Sequence, residues 1–224
     1  MGHRPRVVRP GSALRWIAAA ALLLCALGAL GAPRSKGPVI LVVGDSISAA
    51  YGLPGGSGWT SLLQKRLAAE RYPHRVVNAS ISGDTTATGR ARLPTLLSEY
   101  RPAVTVIELG GNDGLRGGNV DAMKDNLDAM VAAVQKAGSR ALLVGIRMPP
   151  NYGPAYVNGF QATFGEVASK RNAALVPFLF SGFAEDDSMF QADRIHPVAA
   201  AQPKLLDNVG RALKPLLGPP GKGK

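Results

Sequence analysis

The chain has 224 residues, 46% of them apolar and 18% charged, which suits one ordinary globular domain and excludes a disordered or collagen-like polymer. Aromatics at 6% argue against a surface that stacks nucleic-acid bases, and the lone Cys25 excludes an intramolecular disulfide framework and a cysteine-based zinc site. The formal charge of +11 alone would suit an anionic partner, but part of it lies in an amino-terminal segment with a separate fate.

Residues 1–15 carry Arg4, Arg6, Arg9 and Arg15 and no acid, and Trp16 to Pro33 then holds no charged residue. Basic, apolar and small residues in that order predict a signal peptide over residues 1–31, and Ala29-Leu30-Gly31 places cleavage before Ala32. A retained membrane anchor is the alternative, although the run is at the short edge of the about 20 apolar residues that a span needs. Leu24 ahead of Cys25 disfavours lipidation. Without residues 1–31 the chain keeps 22 basic and 15 acidic residues, a net +7. That charge is first of all a solvated surface, and it would also favour peripheral contact with anionic envelope surfaces after export to the periplasm or medium. The domain is expected over residues 32–217, with a disordered tail over 218–224.

Five short apolar runs follow: Pro38 to Gly44, Arg75 to Ala79, Ala103 to Gly110, Arg140 to Ile146 and Ala173 to Phe178. Runs this short and apolar on both faces predict a five-stranded parallel sheet covered on both sides. Helical stripes lie between them. Trp59, Leu62, Leu63 and Leu67 share a face, as do Met123, Leu127, Met130, Val131 and Val134 behind an N-cap at Asp121. Tyr156, Phe160, Phe164, Val167 and Ala168 form a third stripe, and Leu205, Leu206, Val209, Leu213 and Leu216 a fourth. Thr85 to Tyr100 reads as helix, with Pro94 starting or restarting it. The alternation predicts a single α/β domain, a three-layer α/β/α sandwich.

Polar, glycine-rich clusters stand directly after strands: Gly44-Asp45-Ser46, Ser80-Ile81-Ser82-Gly83-Asp84 and Gly110-Gly111-Asn112-Asp113, with Asp193-Arg194-Ile195-His196 after the fifth. In a parallel sheet these strand ends share one edge, where ligands bind. Serine chemistry needs a histidine base, and beyond residue 31 only His74 and His196 remain. His74 precedes the second strand, at the opposite edge, and reads as a surface residue. His196 has Asp193 three positions before it, close enough to orient its ring. Ser46 closes a strand and opens a helix, with its hydroxyl above the sheet. The G-x-S-x-G elbow is absent, so the ordinary α/β-hydrolase signature is not met. The Ser46 and Gly83 amides and the Asn112 side chain could serve as oxyanion donors. Taken singly, the Ser-Gly-Asp and Gly-Gly-Asn-Asp segments read more simply as turns.

Ser46, Gly83, Asn112 and His196, in that order, resemble the four signature residues of the SGNH (GDSL) hydrolase family. The resemblance runs from GDSISAAYGL through NASISGDTT and ELGGNDGLRG to DRIHPVAAAQP, and is closest to the exported thioesterase I/lysophospholipase/arylesterase branch. It implies a flavodoxin-like fold, a Ser46–His196–Asp193 triad, the three oxyanion donors above, and neither cofactor nor metal. It further implies substrate contacts from Asp45, from Gly114, Leu115 and Arg116 in a mobile loop, and from Asn151 and Tyr152 in a loop walling the acyl site. Arg194 stands where the branch usually has glycine, and Val198 where it often has asparagine. The expected activity is hydrolysis of acyl esters or thioesters, such as lysophospholipids, aryl esters or fatty-acyl thioesters. The alternatives are an envelope polysaccharide or peptidoglycan O-deacetylase and a catalytically silent binding module. No nucleic-acid partner is expected.

Overall fold

The computed structural model describes residues 1–2 and 37–221, and the chain divides into two units, residues 1–36 and 37–224. The expected signal peptide therefore lies, apart from Met1 and Gly2, outside the described residues. In the second unit the strands are β1 (Val39–Gly44), β2 (Arg75–Asn78), β3 (Val104–Glu108), β4 (Arg140–Val144) and β5 (Ala174–Val176). The helices are α1 (Trp59–Ala69), α2 (Thr86–Tyr100), α3 (Gly111–Leu115), α4 (Val120–Lys136), α5 (Pro154–Arg171) and α6 (Gln202–Leu213).

The five strands form one sheet in the order β2-β1-β3-β4-β5, and every pairing is parallel. Residues of β1 and β3 are buried on both faces, which is why the sequence shows continuous apolar runs there rather than alternation. Helices α1 and α6 pack together, while α2 packs on α4 and α4 on α5, giving the two outer layers of the expected sandwich. Helix α4 buries the predicted stripe, Met123, Leu127, Met130, Val131 and Val134. Each such side chain is worth about 1.5–3 kcal/mol of apolar transfer.

Local chemistry departs from expectation at five places. Asn119, not Asp121, caps α4, accepting the Ala122 amide at 2.9 Å; Asp121 sits within the first turn, where its charge faces the positive end of the helix dipole. Helix α2 runs unbroken through the exposed Pro94 from a capping box of Thr85 and Thr88. No helix opens at Ser46. The segment makes one turn, Ala50 enters the left-handed region (φ +60°), and regular helix waits until Trp59. The Gly-Gly-Asn-Asp segment is not a plain turn but the start of the short α3. His74 is buried rather than on the surface, with its ring 6.2 Å from that of Tyr72 and its Nδ1 unpartnered; burial, with Arg140 nearby, pushes the imidazole pKa down. Of the tail, Gly218–Gly221 is described, and the Gly221 amide donates to the Arg71 carbonyl at 2.9 Å.

Candidate active site

Parallel topology brings the ends of β1, β2 and β3 side by side: Val42 pairs with Asn78, and Gly44 with Glu108. The chain leaving β1 bends at once, because the Asp45 carbonyl accepts the Ala49 amide at 2.9 Å and the Ser46 carbonyl accepts that of Tyr51 at 3.0 Å. Asp45 Oδ1 accepts the Ile47 amide at 3.0 Å. The bend leaves Ser46 half-buried above the sheet edge, flanked by the buried Asp45 and Ile47.

His196 reaches Ser46 from a separate turn. Asp193 Oδ1 accepts the amides of Ile195 (2.9 Å) and His196 (3.0 Å), and Arg194 closes the turn in a left-handed conformation (φ +58°). The chain folds back so far that Asp193 Oδ2 lies 2.7 Å from His196 Nδ1, while Nε2 lies 2.8 Å from Ser46 Oγ. Burial acts to raise the Asp193 pKa, but the two amides and the imidazole outweigh it and hold the carboxyl down at about 2. An ionised Asp193 favours the proton on Nδ1 and leaves Nε2 as the acceptor facing the serine hydroxyl. Gln191 joins the two turns: its amide N–H donates to the His196 carbonyl at 2.7 Å and its side chain to the Tyr51 carbonyl at 2.9 Å. The Tyr51 ring centroid is 4.7 Å from that of the imidazole.

Asn112 is joined to the nucleophile turn through Asp45. Its Nδ2 donates to the Asp84 carbonyl at 2.9 Å and to Asp45 Oδ2 at 3.2 Å. Gly83, one residue before Asp84, has φ +85°, a conformation glycine adopts without strain. Burial pushes the Asp45 carboxyl up to about 6, against the Ile47 amide, His196 and the Asn112 amide, which all favour the charged form. Beneath it Glu108 is also buried and accepts the Ser48 hydroxyl at 2.7 Å, and Ser48 accepts Trp59 Nε1 at 3.2 Å. Burial first, then the nearby Asp45, pushes Glu108 well above the carboxylate range.

The segment after α3 is held at several points. The Tyr152 hydroxyl donates to the Leu115 carbonyl (3.0 Å), the Tyr156 hydroxyl to the Gly118 carbonyl (2.9 Å), and Arg116 Nη2 to the Gly83 carbonyl (3.2 Å). Gly114 is buried, and a Cβ there would fall 2.3 Å from Met148 Sδ. The structure thus brings Ser46, His196 and Asp193 into direct contact, links Asn112 to them through Asp45, links Leu115 to Tyr152, and links Arg116 to Gly83. Asn151 is exposed, and its side chain forms no hydrogen bond among the described residues. Sequence reasoning passed over Tyr51, Arg92, Glu108, Tyr156 and Gln191. An acid near the end of the largely apolar third run was a readable signal for Glu108; Tyr51 and Tyr156 meet partners distant in sequence, while Arg92 and Gln191 pair with the nearby Asp84 and His196 without any spacing that marks them. Among the described residues no group of three or more His, Cys, Asp or Glu could hold a metal ion, and no helix is long and apolar enough to cross a membrane.

Comparison with known proteins fits this geometry. The sequence pattern of the GDSL-like lipase/acylhydrolase family matches residues 42–202. The chain is 54% identical over 199 residues to esterase TesA of Pseudomonas aeruginosa, covering 88% of this chain and 99% of that one. It is 38% identical over 178 residues to thioesterase 1/protease 1/lysophospholipase L1 of Escherichia coli, covering 80% and 84%. A crystal structure of the psychrotrophic esterase EstA from Pseudoalteromonas, inhibited by monoethylphosphonate, superposes with a TM-score of 0.76 at 41% identity, covering 80% of this chain and 98% of that one.

Proposed function

The chain belongs to the GDSL-like lipase/acylhydrolase family, and from that premise we propose that it is an exported serine esterase that cleaves acyl esters or thioesters through Ser46, His196 and Asp193. One observation carries the reading: the continuous relay from Ser46 Oγ to His196 Nε2 at 2.8 Å and from Nδ1 to Asp193 at 2.7 Å. His196 Nε2 takes the serine proton as Oγ attacks the acyl carbonyl, and Asp193, charged across the neutral range, stabilises the imidazolium. The Ser46 and Gly83 amides and the Asn112 side chain receive the oxyanion. In the resting site Asn112 Nδ2 already serves Asp84 and Asp45, so its longer bond, to Asp45 Oδ2, is the one that gives way as charge grows on the substrate oxygen. His196 protonates the leaving alcohol or thiol, then activates water to release the acid.

Aryl esters, lysophospholipids and fatty-acyl thioesters are the substrates this reading favours. Tyr51, Ile81 and Ile195 support amphiphilic ones: these three exposed large apolar residues lie on the turns that carry Ser46, Gly83 and His196. The same rim would serve peripheral contact with a membrane surface. The loop 114–118, anchored by Tyr152 and Tyr156, is read as closing over the acyl chain, and Asn151 as walling it. Export follows from residues 1–31, with a mature amino terminus at Ala32. A chain-length series of nitrophenyl esters and acyl thioesters, with lysophospholipid alongside, tests the assignment: turnover lost in Ser46→Ala supports it, and no turnover on any ester would overturn it.

A further inference from the structure

Arg92 lies on α2, away from the four signature segments, yet its guanidinium reaches the backbone of two of them. Its Nε and Nη2 both donate to Asp84 Oδ2, at 2.7 and 2.6 Å. Nη1 donates to the Ala79 carbonyl at 2.5 Å, and Nη2 also approaches the Gly44 carbonyl at 3.5 Å. Ala79 and Asp84 bracket the loop that presents Gly83. Gly44 is the last residue of β1, two positions before Ser46. The Asp84 carbonyl is the acceptor that orients Asn112. One side chain therefore touches the supports of all three groups assigned to the oxyanion.

The chemistry suits that task. A planar guanidinium offers five N–H donors in fixed directions, whereas the three donors of a lysine ammonium radiate from one nitrogen and do not match contacts spread over Nε, Nη1 and Nη2. The Arg92 and Asp84 side chains are 21% and 10% exposed, so the pair is shielded from water and from salt. Backbone bonds tie the start of this loop to β1, since the Ala79 amide donates to the Val42 carbonyl at 2.8 Å and the Ile81 amide to the Gly44 carbonyl at 3.0 Å; Arg92 adds the bonds that reach across the loop to Asp84.

We propose that Arg92 is a positioning residue that holds the Ser46, Gly83 and Asn112 supports in register. The proposal rests on the assignment of those groups to the oxyanion. Donors that must lie about 2.7–3.1 Å from the developing charge lose their effect when their loops drift. Arg92→Ala should lower kcat by about 10²-fold with KM within about 3-fold, since the substrate carbonyl itself draws little on these donors. Guanidinium ion at tens of millimolar should restore at least part of that kcat without raising the melting temperature. Arg90→Ala, which removes a guanidinium two residues away that donates instead to Asn126, should leave kcat and the response to guanidinium unchanged.

Arg92→Lys covers the case in which the alanine variant fails to fold: it should fold, lose kcat at nearly constant KM, and resist rescue because the ammonium fills the site. The proposal is overturned if kcat per folded molecule is normal in either variant. It is equally overturned if the loss follows the folded fraction and guanidinium does nothing for Arg92→Ala. Asn112→Ala, run in parallel, separates the two levels: a normal kcat there would sink the oxyanion assignment itself, whereas a low kcat there with a normal one in the Arg92 variants would sink only the positioning role.

Discussion

Replacing Asn112 by alanine separates its proposed oxyanion role from its part in supporting the site. Loss of one oxyanion donor costs ~10²–10³ in kcat, or about 3–4 kcal/mol of transition-state stabilisation. Asn112 also makes two resting hydrogen bonds, to the Asp84 carbonyl and to buried Asp45. Each such bond is worth about 0.5–1.5 kcal/mol net, so the variant should also lose roughly 1–3 kcal/mol of stability. In a domain of this size that is a fall of about 2–12 °C in Tm, which leaves the protein folded at assay temperature. The assay is kcat and KM on a nitrophenyl ester, normalised to sites titrated with a serine-reactive phosphonate, together with Tm on the same preparation. The expected result is a kcat down by the stated factor, KM nearly constant, and a moderately lower Tm. Asn112→Asp should be at least as damaging, because it sets a second carboxylate beside Asp45 and against the oxyanion. A lower Tm with kcat per titrated site within about 3-fold of the parent would refute the catalytic role and leave Asn112 as a turn residue.

Three further outcomes follow from other parts of the molecule. Removing both loop anchors in Tyr152→Phe/Tyr156→Phe should raise KM for long-chain esters several-fold while acetyl esters are unaffected; an equal change on both would mean that the loop supports the site without touching the acyl chain. Asp128 lies far from Ser46 in sequence and accepts two bonds from Arg171 and one from Lys170, and Arg171 above all holds its carboxyl at about 2. Because the folded pKa is depressed, its stabilisation is present above pH 4 and is lost as pH falls through 2: with partly exposed partners screening the pair, Asp128→Asn should cost about 1 kcal/mol at neutral pH, and the gap between variant and parent melting curves should narrow on acidification. Arg194→Gly removes a left-handed arginine, a conformation costing about 1–2 kcal/mol, at the expense of an exposed pair with Asp187 and of glycine's extra unfolded-state freedom. Its Tm should hold or rise slightly; a clear drop would mean that the Asp187 pair outweighs the strain.

The centre of the sheet was legible because burial on both faces writes β1, β3 and β4 as largely apolar runs, and these strands fall within a residue or two of those runs. Helix faces were legible because burial on one side writes a stripe at helical spacing, as in α4. What resisted reading was local hydrogen bonding. Asp121 and Asn119 are both competent caps, and only the backbone geometry selects Asn119. Ala50 in the left-handed region stops a helix that composition alone would extend. The proposed triad residues could be found because Ser46 follows a strand and Asp193 sits at a fixed offset from His196. Arg92 could not, since its acceptors are two backbone carbonyls and an aspartate brought to it by the β2–α2 connection and by β1. His74 shows the converse: a polar residue before a short edge strand suggests exposure, yet neighbouring Tyr72 and the approach of residues 37–38 enclose it.

Covalent labelling of Ser46 tests the central claim most directly. The protein is treated with a fluorophosphonate, and the adduct is counted by intact mass and located by peptide mass spectrometry. The account predicts one adduct per chain, on Ser46, absent from Ser46→Ala, and formed far more slowly in His196→Ala, where the relay that activates the hydroxyl is gone. Labelling at another serine, or labelling undiminished in Ser46→Ala, would contradict it.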